Sequence, residues 1–247
     1  MKKGGFILFV MAGILVLAGV GWTGMTDAGK APLPESGAGK RYTVAERLEQ
    51  YGAAVEQQLR PVVEAAGLSY PPYEFAYVAF KDTSLLEVYG RMGAEQPWHF
   101  IRTYPVQRAS GRLGPKLAEG DYQVPEGIYR AEFLNANSRF HLSIRLDYPN
   151  AFDREMAKAE GRTRLGGDIM IHGGAVSVGC LAMGDEAAEA LFILAALVSK
   201  ERVQIVVSPT DFRQSAPWTV PAGLRPWANT LYLSLEEALK AFPLPAS

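Results

Sequence analysis

The single cysteine of the chain, Cys180, follows a histidine at a spacing that could bring the two side chains together. His172 comes directly after the short apolar run 169–171, and three glycines lie among the seven residues between it and Cys180. Because glycine lets a chain reverse direction sharply, Cys180 can return to His172. An imidazole that removes the thiol proton makes cysteine a far better nucleophile, with thiolate and imidazolium titrating as a coupled pair. The spacing therefore predicts a Cys–His dyad.

The alternative is that both side chains only pack, since an unpaired cysteine is often a small buried hydrophobe. Strand alternation puts Ile169 and Ile171 on one face of the run. Met170 and His172 then lie on the other face, so the imidazole need not be buried in the core. The residues alone leave catalysis and packing both open.

Two other catalytic patterns are present only in part. The segment 175–179 nearly matches the G-x-S-x-G elbow of α/β-hydrolases, but it begins with alanine and no histidine follows Ser177. Paired carboxylates for glycoside cleavage would have to come from Glu119, Asp121 and Glu126. These three lie among glycines and a proline, which indicates turn residues instead.

Composition and spacing argue against a metal, a cofactor and a nucleic-acid partner, and we predict none of the three. Zinc held by His141, His172 and Cys180 is an alternative, but the spacing matches no metal motif. The 25 Lys and Arg residues nearly balance the 26 Asp and Glu residues, so no broad basic surface is available for phosphates. Hydrophobic residues make up 48% of the chain, which is typical of a protein with a packed core.

Short β-prone segments dominate the part of the chain that must position the dyad. Phe75–Phe80 and Leu85–Tyr89 flank a polar turn and are predicted to form a β-hairpin. Because Gly, Pro, Asn and Asp clusters separate the remaining segments, the core is predicted to be mainly β. Those segments are Trp98–Tyr104, Gly127–Phe133, Phe140–Leu146, Asp168–His172 and Val203–Val207.

Three helices are predicted around this core. Pro61 is expected to end or bend the first one turn before Gly67. Asp185 is the predicted N-cap of the second, whose apolar composition places it against the sheet. The three segments are Tyr42–Ala66, Glu186–Ser199 and Leu233–Phe242.

The N-terminal segment predicts export. Two lysines precede the uncharged stretch Gly4–Thr26, whose most apolar part is Phe6–Val20. This order is typical of a secretory signal. The apolar part is shorter than the ~20 residues of a membrane span, although the whole uncharged stretch could serve as an uncleaved anchor. We therefore expect a periplasmic protein in which residues 1–28 are a signal peptide or an inner-membrane anchor.

The segment Ile171–Cys180 (IHGGAVSVGC), preceded by Gly120–Gly127 (GDYQVPEG), resembles the L,D-transpeptidase catalytic domain, also called YkuD-type. The similarity is greatest to the branch that includes proteins detaching an outer-membrane lipoprotein from murein. It implies a YkuD-type β-sandwich with flanking helices. Further matching segments are Leu113–Lys116, Ser138–Phe140, Tyr148–Asp153 and Cys180–Met183.

The resemblance implies roles for individual residues. Cys180 becomes the nucleophile and His172 the base in acyl transfer on peptidoglycan peptide stems. A Cys180 thioester would form at the L-centre of meso-diaminopimelate, and an amine or water would then release it. Gly179, Ser177 and Gly173 are expected to shape the loop and the oxyanion site, with backbone N–H groups of Gly179 and Cys180 as the donors.

Two positions depart from the commoner family pattern. Val178 stands where many members have histidine, and Ala182 stands where many have arginine. Arg139 is therefore expected to bind the substrate carboxylate, with a solvated strand-end charge as the alternative. Both departures are shared with the lipoprotein-detaching branch, so hydrolysis that releases a murein-bound lipoprotein is an alternative to cross-linking. A catalytically silent murein-binding module is the alternative of another class.

The resemblance also predicts how the chain is organised. It extends from about Tyr70 to Pro209, so residues 70–209 are expected to form the catalytic domain. Residues 29–69 are expected to be a linker and a flanking helix, and residues 210–247 a helical extension that packs on the same domain.

Overall fold

A mixed β-sheet dominates the protein. Within residues 40–214 and 218–245, which the computed structural model describes, nine strands join in one sheet. In chain order they are β1 Glu74–Phe80, β2 Leu85–Arg91, β3 His99–Pro105, β4 Arg108–Ala109, β5 Gly127–Ser138, β6 His141–Leu146, β7 Met170–His172, β8 Leu181–Ala182 and β9 Val203–Ser208. Their order in the sheet is β3-β2-β1-β9-β5-β6-β7-β8-β4. The predicted export segment 1–28 lies outside the described residues.

Helices flank this sheet, which confirms the mainly β fold class with flanking helices. The described residues contain four α-helices: α1 Val44–Ala65, α2 Ala151–Ala159, α3 Asp185–Val198 and α4 Ala228–Leu239. Helix α2 and strands β4 and β8 were absent from the sequence prediction, because such short elements carry little periodicity. No helix in the described part of the chain is both long enough and apolar enough to cross a membrane.

Strand β5 belongs to both halves of the sheet. Residues 127–130 pair with β9, and the strand pairs with β6 from Ala131 onward, with a register shift between Ala131 and Phe133. The sandwich expected from the resemblance is therefore built from two half-sheets that share one long strand. The predicted hairpin is present as β1 and β2, paired antiparallel.

Helix α3 fills the space between the half-sheets. It contacts β1 in one half and β6 and β7 in the other. Leu191 and Phe192 are fully buried, and each such side chain stabilises the fold by roughly 1.5–3 kcal/mol. The predicted position of this helix against the sheet is confirmed. Its predicted cap is wrong, because Gly184 is the N-cap residue and Asp185 instead accepts a hydrogen bond from the Gly174 N–H at 2.8 Å.

Helix α1 begins at a capping box in which Thr43 and Glu46 satisfy each other's backbone N–H groups. Helix α1 continues through Pro61 and ends at Ala65, one residue before the end of the predicted segment, and the bend at Pro61 stays a prediction. Pro61 is exposed, so its ring displaces no core side chain. The chain leaves the helix at Gly67, which has a φ of 81°.

Helix α4 packs on the opposite face of the sheet from α3. Leu231, Leu235 and Leu239 form a second core with side chains of β1 and β9. The described residues from Arg41 onward form one compact unit, so the boundaries at 70 and 209 stay predictions.

Candidate active site

Strands β7 and β8 place His172 and Cys180 on one face of the sheet. The two strands pair in parallel, with Ile171 opposite Leu181 and His172 opposite Ala182. Cys180 therefore lies one residue before β8, level with Met170. Since side chains alternate along strands, Cys180 shares the face of His172 and is its diagonal neighbour. The loop between the two strands thus turns back and brings Cys180 to the level of Met170, as the glycines predicted.

His172 is more buried than strand alternation alone suggested. It is 2% exposed, because the ring of Phe140 covers it at 4.8 Å between ring centroids. Its Nδ1 lies 2.6 Å from the Gly173 carbonyl oxygen. A carbonyl can only accept, so Nδ1 carries the hydrogen and Nε2 is left as an acceptor. Burial lowers the pKa of His172, and the hydrogen bond to Gly173 partly opposes that shift.

The Cys180 thiol is partly exposed and donates to the Asp168 carbonyl oxygen at 3.7 Å. Burial raises the pKa of Cys180, and the nearby Asp168 carboxylate raises it further. The Met170 backbone and the Lys116 ammonium act in the opposite direction. In the described residues no hydrogen bond joins the thiol to His172. Both shifts favour a neutral thiol and a neutral imidazole over the thiolate–imidazolium pair inferred from the spacing.

Two serine hydroxyls hold the loop that carries Cys180. Ser177 Oγ accepts from the Cys180 N–H at 3.1 Å and donates to the Cys180 carbonyl at 2.7 Å. Ser110 Oγ accepts from the Gly179 N–H at 2.6 Å and lies 3.1 Å from Ser177 Oγ. Both expected oxyanion donors, the N–H groups of Gly179 and Cys180, are thus occupied by hydroxyls in this state.

Ser110 is a site residue that sequence reasoning missed. It follows β4, whose two residues pair with β8. That pairing brings Ser110 to a loop 67 residues away in the sequence. No local motif marks this contact, since it exists only once the strands pair.

Gly173, next to His172, and Gly179, next to Cys180, occupy positions where a larger residue would be unfavourable. A Cβ at Gly173 would lie 2.5 Å from Asp185 Oδ1 and 2.8 Å from the Phe140 carbonyl oxygen. The Gly173 N–H donates to the carbonyls of Phe140 and Leu142, so it is not a free oxyanion donor. Gly179 has a φ of 104°, which favours glycine.

Arg139 lies in the turn between β5 and β6, next to the Phe140 that covers His172. It is exposed, and its guanidinium has no ion-pair partner among the described residues. The structure thus places a free cation at the His172 end of β7.

The alternative sites do not assemble. His141 Nε2 contacts Glu189 Oε1 at 2.6 Å, which directs it toward α3. The described residues hold no group of three His, Cys, Asp or Glu side chains that could bind a metal. The three turn carboxylates each have a cation partner of their own, in the pairs Glu119–Arg164, Asp121–Lys116 and Glu126–Lys81.

Comparison with known proteins finds curated relatives that match about half of the chain. Over 135 residues it is 36% identical to the Escherichia coli protein named "Putative L,D-transpeptidase YafK", in strains K12 and O157:H7. The resemblance to L,D-transpeptidases is confirmed. The match covers 53% of this chain and 52% of the relative, so the chain spans about half the length of the curated relatives it matches. No family model matches.

Solved structures show weaker similarity. The helical cell shape determining protein Pgp2 from Campylobacter jejuni has a TM-score of 0.44 and 23% identity, covering 57% of this chain and 49% of that one. Mycobacterium tuberculosis L,D-transpeptidase 1 has a TM-score of 0.32 and 17% identity, covering 55% and 62%. Both scores lie below 0.5, so neither structure supports a conclusion about this chain.

Proposed function

We propose that the protein is an exported cysteine acyltransferase or amidohydrolase that acts on peptidoglycan peptide stems. The observation that carries the proposal is the placement of Cys180 beside a buried His172 whose Nε2 is free to accept a proton. The similarity to a relative named as an L,D-transpeptidase supports the substrate class. A catalytically silent murein-binding module would not require a His172 tautomer with the hydrogen on Nδ1 and Nε2 free to accept a proton.

In the first half of the reaction, the Cys180 thiol leaves the Asp168 carbonyl and attacks the carbonyl carbon at the L-centre of meso-diaminopimelate. As the C–S bond forms, the thiol proton passes to His172 Nε2. The C–N bond then breaks, and the imidazolium returns the proton to the departing amine. The product is a Cys180 thioester and a free amine.

In the second half, water or an amine attacks the thioester carbonyl. His172 Nε2 takes a proton from the attacking group and returns it to the sulfur as the C–S bond breaks. Water gives hydrolysis, including release of a murein-linked lipoprotein, and an amine gives a new cross-link. The same cleft serves both outcomes.

The oxyanion of each tetrahedral intermediate requires donors. The N–H groups of Gly179 and Cys180 are the candidates, and each must exchange a serine hydroxyl for the oxyanion. Arg139 is the candidate for holding a substrate carboxylate at the His172 end.

The deciding experiment compares wild type with Cys180→Ala on purified sacculi. We expect new muropeptides, identified by mass spectrometry, with wild type only, because the substitution removes the nucleophile. Circular dichroism of both proteins should be the same, since the change is small and no disulfide is lost. Substantial turnover by Cys180→Ala would eliminate the thioester mechanism.

Export is a separate part of the proposal. A reporter that is active only outside the cytoplasm, fused after Ser247, should be active when residues 1–28 are present and inactive when they are deleted. Equal reporter activity in the two fusions would contradict the signal or anchor.

A further inference from the structure

Two adjoining cavities extend from α2 to Asp168, the residue whose carbonyl accepts the Cys180 thiol. A cavity of about 680 Å³ is lined by residues of α2 and by the segment that follows it. A second cavity, of about 440 Å³, is lined by Asp168, whose carbonyl accepts the Cys180 thiol. The two cavities share Glu119 and Gly166 in their walls. Asp168 thus links the thiol to the smaller cavity, which adjoins the cavity along α2 that we call the α2 groove.

The α2 groove carries free positive charge. Arg154 and Lys158 both line it, and their i,i+4 spacing puts them on one face of α2. Neither has a carboxylate within ion-pair distance among the described residues. The other two cations of the groove are already paired, Arg162 with Glu160 at 2.6 Å and Arg164 with Glu119 at 2.8 Å.

The end near the thiol has the opposite charge. Arg145 lies between Glu132 and Asp168, at 2.9 Å and 3.2 Å, so two carboxylates share one guanidinium. An anionic group is repelled from this end and attracted toward Arg154 and Lys158. The charge gradient thus fixes the direction in which a substrate with a carboxylate lies across the cleft.

We propose that the α2 groove binds a free carboxylate of the murein stem peptide while the peptide carbonyl lies at Cys180. This inference rests on the proposed function, because it takes the peptide stem as the substrate. It assigns Arg154 and Lys158 to substrate binding, and it places a carboxylate subsite at the end of the cleft opposite Arg139.

The test uses the full chain and a synthetic stem tetrapeptide. The double variant Arg154→Gln/Lys158→Gln should raise KM by roughly tenfold with little change in kcat, because loss of a charge-assisted contact weakens binding and not chemistry. The control Arg60→Gln/Lys240→Gln removes the same charge outside the groove and should leave KM unchanged. Equal KM values for wild type and the groove variant would overturn the inference.

Amidated peptides identify the contact. Three tetrapeptide analogues each carry an amide in place of one free carboxylate: that of the glutamate, that of the diaminopimelate side chain, or that of the C-terminus. One of them should bind wild type and the groove variant equally well, since the contacted carboxylate is gone. If the two proteins still differ by the same factor with all three analogues, the groove does not bind a carboxylate of the stem peptide.

Binding without turnover separates this inference from the proposed function. Calorimetric titration of the tetrapeptide into Cys180→Ala, with and without the groove substitutions, measures the subsite alone. A roughly tenfold difference in Kd supports the subsite even if wild type shows no turnover, whereas equal Kd values refute it even if wild type is active.

Discussion

At the scale of single residues, the ionisation state of the dyad follows from burial. Phe140 removes water from His172, and the Asp168 carbonyl offers Cys180 an acceptor that suits a thiol and not a thiolate. Both effects favour the neutral forms. In the proposed mechanism, proton transfer to Nε2 then accompanies attack on the substrate, with His172 as the general base.

This state predicts the pH dependence of turnover. Burial lowers the pKa of His172 and raises the pKa of Cys180. The neutral pair therefore persists below the ordinary histidine pKa of about 6.5 and above the ordinary thiol pKa of about 8.5. As the pH is raised, we expect kcat/KM to increase with a midpoint below the ordinary histidine pKa and then to stay constant past neutral pH.

Iodoacetamide labelling provides the complementary measurement. The resting Cys180 thiol should be alkylated with a midpoint above its ordinary pKa, and His172→Ala should change this midpoint little while abolishing turnover. Rapid alkylation of wild type at acidic pH, lost in His172→Ala, would show that an ion pair exists at rest.

At the scale of elements, the pairing of β4 with β8 brings Ser110 against the loop that carries Cys180. Ser110→Ala deletes the acceptor of the Gly179 N–H and one neighbour of Ser177 Oγ. We expect kcat to fall by about tenfold, equivalent to about 1.4 kcal/mol, because the loop then holds Cys180 less firmly. Ser110→Thr keeps the hydroxyl and should restore part of the rate.

Ser234→Ala, which removes an exposed hydroxyl of α4, serves as the control for Ser110→Ala. Murein turnover should be measured for all three variants. A rate increase in Ser110→Ala would show that the hydroxyl competes with the oxyanion for the Gly179 N–H, contrary to a positioning role.

Most long elements could be predicted from the sequence, and most contacts between short ones could not. The strands β1, β2 and β9 are apolar runs bounded by turn residues, so their positions are visible locally. The cysteine and histidine were visible from spacing and residue type. The role of Asp185 was not, because its carboxylate could cap α3 or accept from Gly174, and only the packed loop decides between them.

At the scale of the whole molecule, a buried ionic cluster connects the C-terminal helix to the segment that supports the site. Glu126 contacts Lys81 at 3.0 Å and accepts from the Tyr232 hydroxyl of α4 at 2.8 Å. It also accepts from the Gly114 N–H at 2.7 Å. The segment around Glu126 also contains Gln123. Its carbonyl oxygen lies so near Gly179 that a Cβ there would be 3.4 Å from it. The cluster therefore stabilises both the fold and the segment that packs against the Cys180 loop.

This arrangement predicts that Glu126→Gln is strongly destabilising. The carboxylate is fully buried and the Lys81 side chain is 5% exposed, so the substitution leaves a buried ammonium without a counter-charge. We expect the free energy of unfolding to fall by about 3–5 kcal/mol, measured by urea denaturation. Glu56→Gln, which breaks the exposed pair with Arg60, should change it little because water solvates both charges. Equal losses in the two variants would mean that the buried cluster contributes no more than a surface pair, and α4 would then be held by its apolar face alone.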